Sequence, residues 1–214
     1  MRDGYTFVLG CDEAGVGPLA GPVVAAACLL NPRSIGKYRS KNKWYARLRD
    51  SKTVSDKERE EILKEILSHA IAWGVGEVWQ EDIDKLNIHQ ASLKAMKGAV
   101  ENLLSSFPEP LANILILVDG RFIIPELKPW GQTLDQKCVV AGDAQILSIA
   151  AASIIAKVHR DHIMRKLDAD FPGYGFAHHK GYGTPLHQEA IRKFGVLPVH
   201  RRSFLKNLKN MKIA

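Results

Sequence analysis

The stretch 10–24 reads Gly-Cys-Asp-Glu-Ala-Gly-Val-Gly-Pro-Leu-Ala-Gly-Pro-Val-Val, and it constrains the fold more than any other part of the chain. An apolar run, Tyr5–Cys11, leads up to two adjacent carboxylates, Asp12 and Glu13. A loop of Gly and Pro follows at once and opens into a second apolar run, Val23–Leu30. Two such runs joined by such a loop read as strands. Acids on a stiff strand can hold a divalent cation, and glycines beside them let backbone approach a ligand closely. Cation and exposed amides together suggest phosphodiester chemistry.

Downstream, residues 31–50 are basic and polar, with Trp44 and Tyr45 among them, and read as an exposed loop. Ser55 and Glu58 form a capping-box pattern that opens a helix whose apolar face is Ile62, Leu63, Ile66 and Leu67. Ala70–Trp79 reads as a third strand and Asn87–Leu104 as a helix ended by Pro108 and Pro110. Ile114–Val118 is a continuous apolar run that stops at Asp119-Gly120, so it reads as a buried strand with an acid at its exit. Lys137–Val140 is a shorter strand leading to Gly142-Asp143. Residues 144–167 read as helix with a bend near Val158–Arg160. A loop rich in Gly, His and Tyr, a helix near Pro185–Phe194 and a basic tail complete the chain. Three early strands without long crossovers are expected to pair antiparallel, and the later ones parallel, in an α/β layer with a mixed sheet.

In such sheets ligands gather outside strand ends, where Asp12, Asp119 and Asp143 are all expected. Converging carboxylates repel one another unless a cation joins them. All-oxygen ligation selects hard ions, magnesium or manganese. Two such ions about 3.5–4 Å apart can serve an in-line displacement. Each acid also has a plainer reading. Asp143 fits a helix N-cap and Asp119-Gly120 fits a turn. Neighbours on a strand point to opposite faces, so Asp12 and Glu13 share an ion only if the strand ends there or Glu13 serves partly through its carbonyl.

The chain has 214 residues with 46% apolar content and a net charge of +7, which favours a polyanionic partner. Cys11, Cys28 and Cys138 are odd in number and show no CxxC spacing, so neither a disulfide framework nor a structural zinc is expected. The apolar runs Leu19–Leu30 and Ile146–Ala156 are too short to span a bilayer, and Asp3 interrupts any cleavable signal. A cytoplasmic protein is the expectation.

Several ordered motifs carry a family resemblance. They are Asp12-Glu13-Ala14-Gly15, Pro18–Val23, Asp50-Ser51-Lys52, Leu86-Asn87-Ile88, Val118-Asp119-Gly120, Gly142-Asp143-Ala144 with Ala150–Ile154, Gly173–Phe176, His179–Thr184 and His200–Phe204. Across nearly the whole chain the sequence resembles ribonuclease HII, the type 2 ribonuclease H family. The resemblance implies a ribonuclease H-like fold, with a mixed five-stranded sheet flanked by helices. It implies one catalytic domain over 1–214, with a small helical substrate-binding region at about 171–214. It implies cleavage of the RNA strand of RNA–DNA hybrids and incision 5′ to ribonucleotides embedded in duplex DNA, leaving 5′-phosphate and 3′-hydroxyl ends. Asp12, Glu13, Asp119 and Asp143 match the family's metal-binding acids, for two Mg2+ or Mn2+ ions.

The family's Gly-Arg-Gly loop meets the ribose 2′-hydroxyl largely through backbone, and Gly15, Val16 and Gly17 match it. Tyr182 matches a tyrosine that packs on the sugar at the DNA side of the junction. Lys52, Lys180, Arg201 and Arg202 are candidate phosphate contacts. His178, His179 and His200 are read as phosphate-side or structural rather than as metal ligands. A monomer is expected, and a replication-clamp contact by the tail 205–214 is open.

Val16 stands where the family has arginine, so a charge and a donor are missing from the loop. Gln145 stands where lysine is common, and Arg121 follows Asp119-Gly120. Two rival readings remain. One is a catalytically impaired hybrid-binding protein, weakened through Val16. The other is a DNA-junction nuclease of the same fold.

Overall fold

Alternating and apolar segments form five strands: β1 (Phe7–Ala14), β2 (Val23–Leu30), β3 (Ala70–Val78), β4 (Ile114–Asp119) and β5 (Asp135–Val139). The computed structural model describes residues 4–35, 44–50 and 55–206, with backbone only at 49 and 50. The sheet order is β3-β2-β1-β4-β5. β1–β2 and β2–β3 are antiparallel, and β1–β4 and β4–β5 are parallel, as the connection lengths predict.

All eight residues of β2 are buried, because the strand lies inside the sheet with both faces covered. The twofold repeat divides them between two cores. Val23, Ala25, Ala27 and Leu29 join Leu9 and Cys11 of β1 under the helix Ile88–Leu104. Val24, Ala26, Cys28 and Leu30 face the helix Leu147–Asp170. The small side chains on both surfaces bring helix and sheet very close. A Cβ on Gly10 would lie 2.1 Å from the Ser148 carbonyl carbon, so only glycine fits in that strand position.

Eight α-helices complete the described part: α1 (Asp56–His69), α2 (Gln80–Leu86), α3 (Ile88–Leu104), α4 (Gly142–Gln145), α5 (Leu147–Asp170), α6 (Phe176–His179), α7 (Pro185–Phe194) and α8 (Arg202–Leu205). The capping box of α1 forms as expected: Ser55 Oγ accepts from the Glu58 N–H, and the Glu58 carboxylate accepts from the Ser55 N–H. Asn87 caps α3 through its side chain, and Thr184 caps α7 ahead of Pro185.

Three expectations need correction. β1 runs on to Ala14, so Asp12 and Glu13 lie inside the strand rather than beyond it. The bend expected near Val158–Arg160 falls instead at Ile146, whose extended backbone separates α4 from α5. Of the basic loop, Trp44–Asp50 is a 3-10 turn that buries Tyr45 and Leu48 against Ile62 and Ile66. Residues 36–43, 51–54 and 207–214 fall outside the described segments.

The C-terminal region folds back on the Gly/Pro loop. Ala20 shares a core with Met164 and Leu167 of α5, Tyr174, Phe176, Ile191, Val199 and Leu205. The backbone of 19–21 pairs with 199–201 through Gly21 N–H to Val199 O and Arg201 N–H to Leu19 O. Leu19 N–H donates to Gly181 O, so the loop after the acid pair is tied to both C-terminal segments.

Candidate active site

The parallel register of β1 and β4 sets the centre of the site. Cys11 pairs with Val118, so Asp12 and Asp119 are the next residues on adjacent strands. Adjacent strands run about 4.8 Å apart. Asp12 is buried, and burial pushes its carboxyl up to about 8, with the charges of Glu13 and Asp119 adding to the effect. Hydrogen bonds from the Ser153 hydroxyl and the Glu13 N–H offset part of this. Glu13 is also raised, first by burial and then by the Asp119 charge.

Strand alternation separates the two neighbouring acids. Asp12 lies on the α5 face, where Ser153 meets it, and Glu13 lies on the α3 face, where Ser92 meets it. The Glu13 N–H donates to Asp12 Oδ1 at 2.8 Å. Asp119 Oδ1 accepts from the Gly142 N–H at 2.6 Å, which draws the turn before α4 to the end of β4. Asp143 therefore follows directly on a residue bound to Asp119. It sits within the first turn of α4 and is not its N-cap, which is Ala141 in the left-handed region. Gln145 donates to the Val140 carbonyl at 2.8 Å and braces the same turn.

Asp12, Glu13 and Asp119 thus come together at the C-terminal ends of two interior strands, from both faces of the sheet, and Asp143 is next in the chain to the residue that binds Asp119. Among the described residues no three acidic, histidine or cysteine side chains form a ready-made metal cage. The donors are all hard oxygens, and the raised carboxyls of Asp12 and Glu13 are the environment a divalent cation relieves. The residue types fit magnesium or manganese and do not fit zinc.

Val16, three residues after Glu13, and Tyr182 are 41% and 46% exposed. A Cβ on Gly17 would lie 3.7 Å from the Tyr182 ring, so loop and tyrosine are neighbours on one surface. Gly15 has φ +92° and packs on Arg160, where a Cβ would lie 2.1 Å from Nε. Both conditions demand glycine.

The basic residues take different parts from those expected. Arg201 is fully buried and donates to the carbonyls of Gly15, Val16 and Gly21 at 2.7–3.0 Å. Its part is corrected from phosphate contact to holding the loop. Lys180 turns its amine to the Ala177 carbonyl and lies 3.6 Å from Asp56. Arg202 is exposed, and its N–H donates to Asp84. Lys52 lies outside the described residues.

His179, His187 and His200 are buried and structural. The Leu197 N–H donates to His200 Nδ1 at 2.9 Å, which leaves Nε2 to donate to His187 Nε2 at 3.1 Å. His187 Nδ1 then donates to the Tyr182 carbonyl at 2.9 Å. These tautomers are the ones the hydrogen-bond chain allows. His178 remains exposed.

Sequence reasoning assigned no role to Ser92, Ser153 or Arg160. Arg160 had a readable signal: it stands on a helical stripe with Ala152, Ala156 and Met164, where a charge is out of place. The serines had none, because only the strand–helix packing brings them to the acids.

Comparison with known proteins agrees with this fold. The family model described as Ribonuclease HII matches residues 9–207. A ribonuclease HII of Acetivibrio thermocellus is 47% identical over 204 residues, covering 95% of this chain and 72% of that protein. One from Francisella philomiragia is 45% identical, covering 92% and 96%. One from Myxococcus xanthus is 49% identical, and the match covers 62% of its length and 95% of this chain. Among solved structures, the PCNA:RNase HII complex from Archaeoglobus fulgidus superposes with a TM-score of 0.71 at 25% identity, over 96% of this chain and 98% of that one. The Bst-RNase HIII structure in complex with Mn2+ shares the fold, with a TM-score of 0.68 at 20% identity, over 91% of this chain and 64% of that one. On the family model's span and these identities, the chain belongs to the ribonuclease HII family.

Proposed function

We propose that this ribonuclease H-type endonuclease cuts the RNA strand of RNA–DNA hybrids and incises 5′ to single ribonucleotides in duplex DNA. The observation that carries the reading is the register that sets Asp12 and Asp119 side by side, with the loop that follows Asp12 in the chain bordering Tyr182. The Asp119 charge acting on Glu13, and the Gly142 N–H that draws the turn before Asp143 to Asp119, support adding Glu13 and Asp143 to the set.

Asp12, Asp119 and Asp143 would hold divalent ions through carboxylates, with Glu13 reaching from the other face through its side chain or carbonyl. Two Mg2+ or Mn2+ ions, when bound, supply a water of lowered pKa and neutralise charge on the departing oxygen. The chain's own residues do the rest. Ser153 and the Glu13 N–H orient Asp12. The Gly142 N–H orients Asp119. The amides of the Gly15–Gly17 loop address the ribose 2′-hydroxyl, the one group that separates RNA from DNA. The exposed Tyr182 ring offers an apolar face to the neighbouring sugar. The products carry 5′-phosphate and 3′-hydroxyl ends.

The family name of the relatives supports hybrids as the substrate class, and the Mn2+ held by the type 3 enzyme of the same fold supports the metal. The Archaeoglobus protein's PCNA complex makes a clamp contact by the tail a natural extension, although 207–214 lie outside the described residues. We take the chain as a single catalytic domain acting as a cytoplasmic monomer. No helix among the described residues is long and apolar enough to cross a membrane. The impaired-binder reading is not favoured, since all four acids remain in the sequence.

The test maps products on a duplex holding one ribonucleotide, with Mg2+ and then Mn2+. One cut 5′ to the ribonucleotide is expected from wild type. Asp119→Asn should lose at least about 100-fold in rate, yet bind hybrid normally in Ca2+. Near-full activity in that variant removes the metal assignment. Cutting of all-DNA junctions but not hybrids replaces the substrate.

A further inference from the structure

We propose that Arg201, supported by Arg160, is a positioning residue for ribose selection, acting from inside the protein through the backbone of the Gly15–Gly17 loop. The inference rests on the nuclease reading above and explains how its recognition loop works without the family arginine.

The two guanidiniums make six hydrogen bonds, all to backbone carbonyls. Arg201 donates Nη2 to Gly15 O, Nη1 to Val16 O and Nε to Gly21 O. Arg160 donates Nε to Pro22 O, Nη2 to Ala20 O and Nη1 to Lys180 O. Burial lowers Arg201 to about 9 and Arg160 to about 10, so both remain charged at neutral pH. Two buried cations that direct their donors to one loop and its neighbouring turn are unfavourable to desolvate, and the carbonyls offset that penalty only in this conformation.

The consequence follows from the planarity of the trans peptide, in which C=O and N–H point in opposite directions. The described residues include no cis bonds. With the carbonyls of Gly15 and Val16 drawn inward to Arg201, the N–H groups of Val16 and Gly17 must face outward. Among the described residues, neither N–H is given to another backbone carbonyl. Gly17 itself borders the Tyr182 ring. Arg160 ties the Ala20–Pro22 segment that follows the loop to the turn that carries Tyr182, through the Ala20, Pro22 and Lys180 carbonyls. None of these bonds involves the Val16 side chain, so the amide pair survives whichever side chain stands at 16. Lysine cannot replace the fork, because a single ammonium does not span three carbonyls in this geometry.

The experiment measures binding in Ca2+ to a duplex with one ribonucleotide and to the same duplex in all-DNA form, for wild type, Arg201→Ala and Arg201→Lys. Wild type comes first: equal affinity for both duplexes, together with no cleavage in Mg2+, defeats the nuclease reading itself. Given a selective wild type, Arg201→Lys should lose at least about tenfold of the ribonucleotide preference, with all-DNA affinity within about threefold. Added guanidinium should restore part of the preference in Arg201→Ala. If Arg201→Ala does not fold, the arginine-to-lysine arm decides alone. An unchanged preference in a folded variant, or an equal loss on both duplexes, overturns the proposal.

Discussion

Val16 carries the sharpest residue-level question. Its side chain is exposed, while its carbonyl is held inside by Arg201. The two halves of the residue therefore answer to different neighbours. On the function proposed above, the backbone part of recognition is preserved, and only a side-chain donor to the substrate is missing. A charge-assisted hydrogen bond is worth roughly 1.5–3 kcal/mol. Val16→Arg is expected to raise cleavage at a single embedded ribonucleotide by about tenfold or more, and to raise cleavage of a long hybrid less. Parallel assays on the two substrates check it, and equal gains on both sink the idea. The acid pair shows the same division. Adjacent in sequence, Asp12 and Glu13 are served by serines on different helices, because a strand turns consecutive side chains to opposite faces.

At the scale of elements, the site depends on how closely α5 lies on the sheet. Gly10 of β1 and the Ala150–Ala152 run of α5 make that approach possible, and Ser153 is thereby brought to Asp12. Gly10→Ala would place a Cβ against backbone rather than against a movable side chain. Overpacking of this kind costs about 1–3 kcal/mol or more. The variant is expected to unfold at lower urea by that amount and to lose cleavage through a displaced Asp12–Ser153 pair. A wild-type urea midpoint would show that helix and strand separate without cost. By contrast, the α1 capping box is purely local, and its residues sit where the S-x-x-E pattern puts them.

The whole molecule is held at its C-terminal end by neutral histidines. Burial lowers His187 and His200 from 6.5 to about 4, and the chain from Leu197 through both rings to Tyr182 needs an unprotonated nitrogen on each. The unfolded chain binds protons on them near pH 6.5, while the folded one does not until about pH 4. Their contribution is whole above pH 6.5 and is lost as pH falls toward 4, at up to about 1.4 kcal/mol per unit for each. Asp12 and Glu13 act with the opposite sign, since their raised carboxyls favour the folded state as pH falls. The check is therefore a difference: between about pH 7 and 5, wild type should lose stability relative to a His187→Gln/His200→Gln double variant. A pH-independent difference between the two urea titrations removes the histidine account.

What the chain determined by itself was local or periodic. The apolar runs at 5–11, 23–30 and 114–118, the caps of α1 and α7 and Asp119 at the end of β4 are set by neighbours a few residues away, so they can be read from spacing. The direction of β4 beside β1 followed from connection length. Tertiary structure alone decided which groups serve those acids and that loop. Arg201 stands 185 residues from Val16 in the chain. Whether such a residue meets phosphate or a buried carbonyl depends on which surface the C-terminal segments cover, and that follows from packing of distant parts. Ser92 and Ser153 are ordinary helix serines until sheet and helices close on each other. Hydrogen bonds act over about 3 Å while sequence distance sets no such limit, so the partners of the acids and of the recognition loop existed only once the fold had formed.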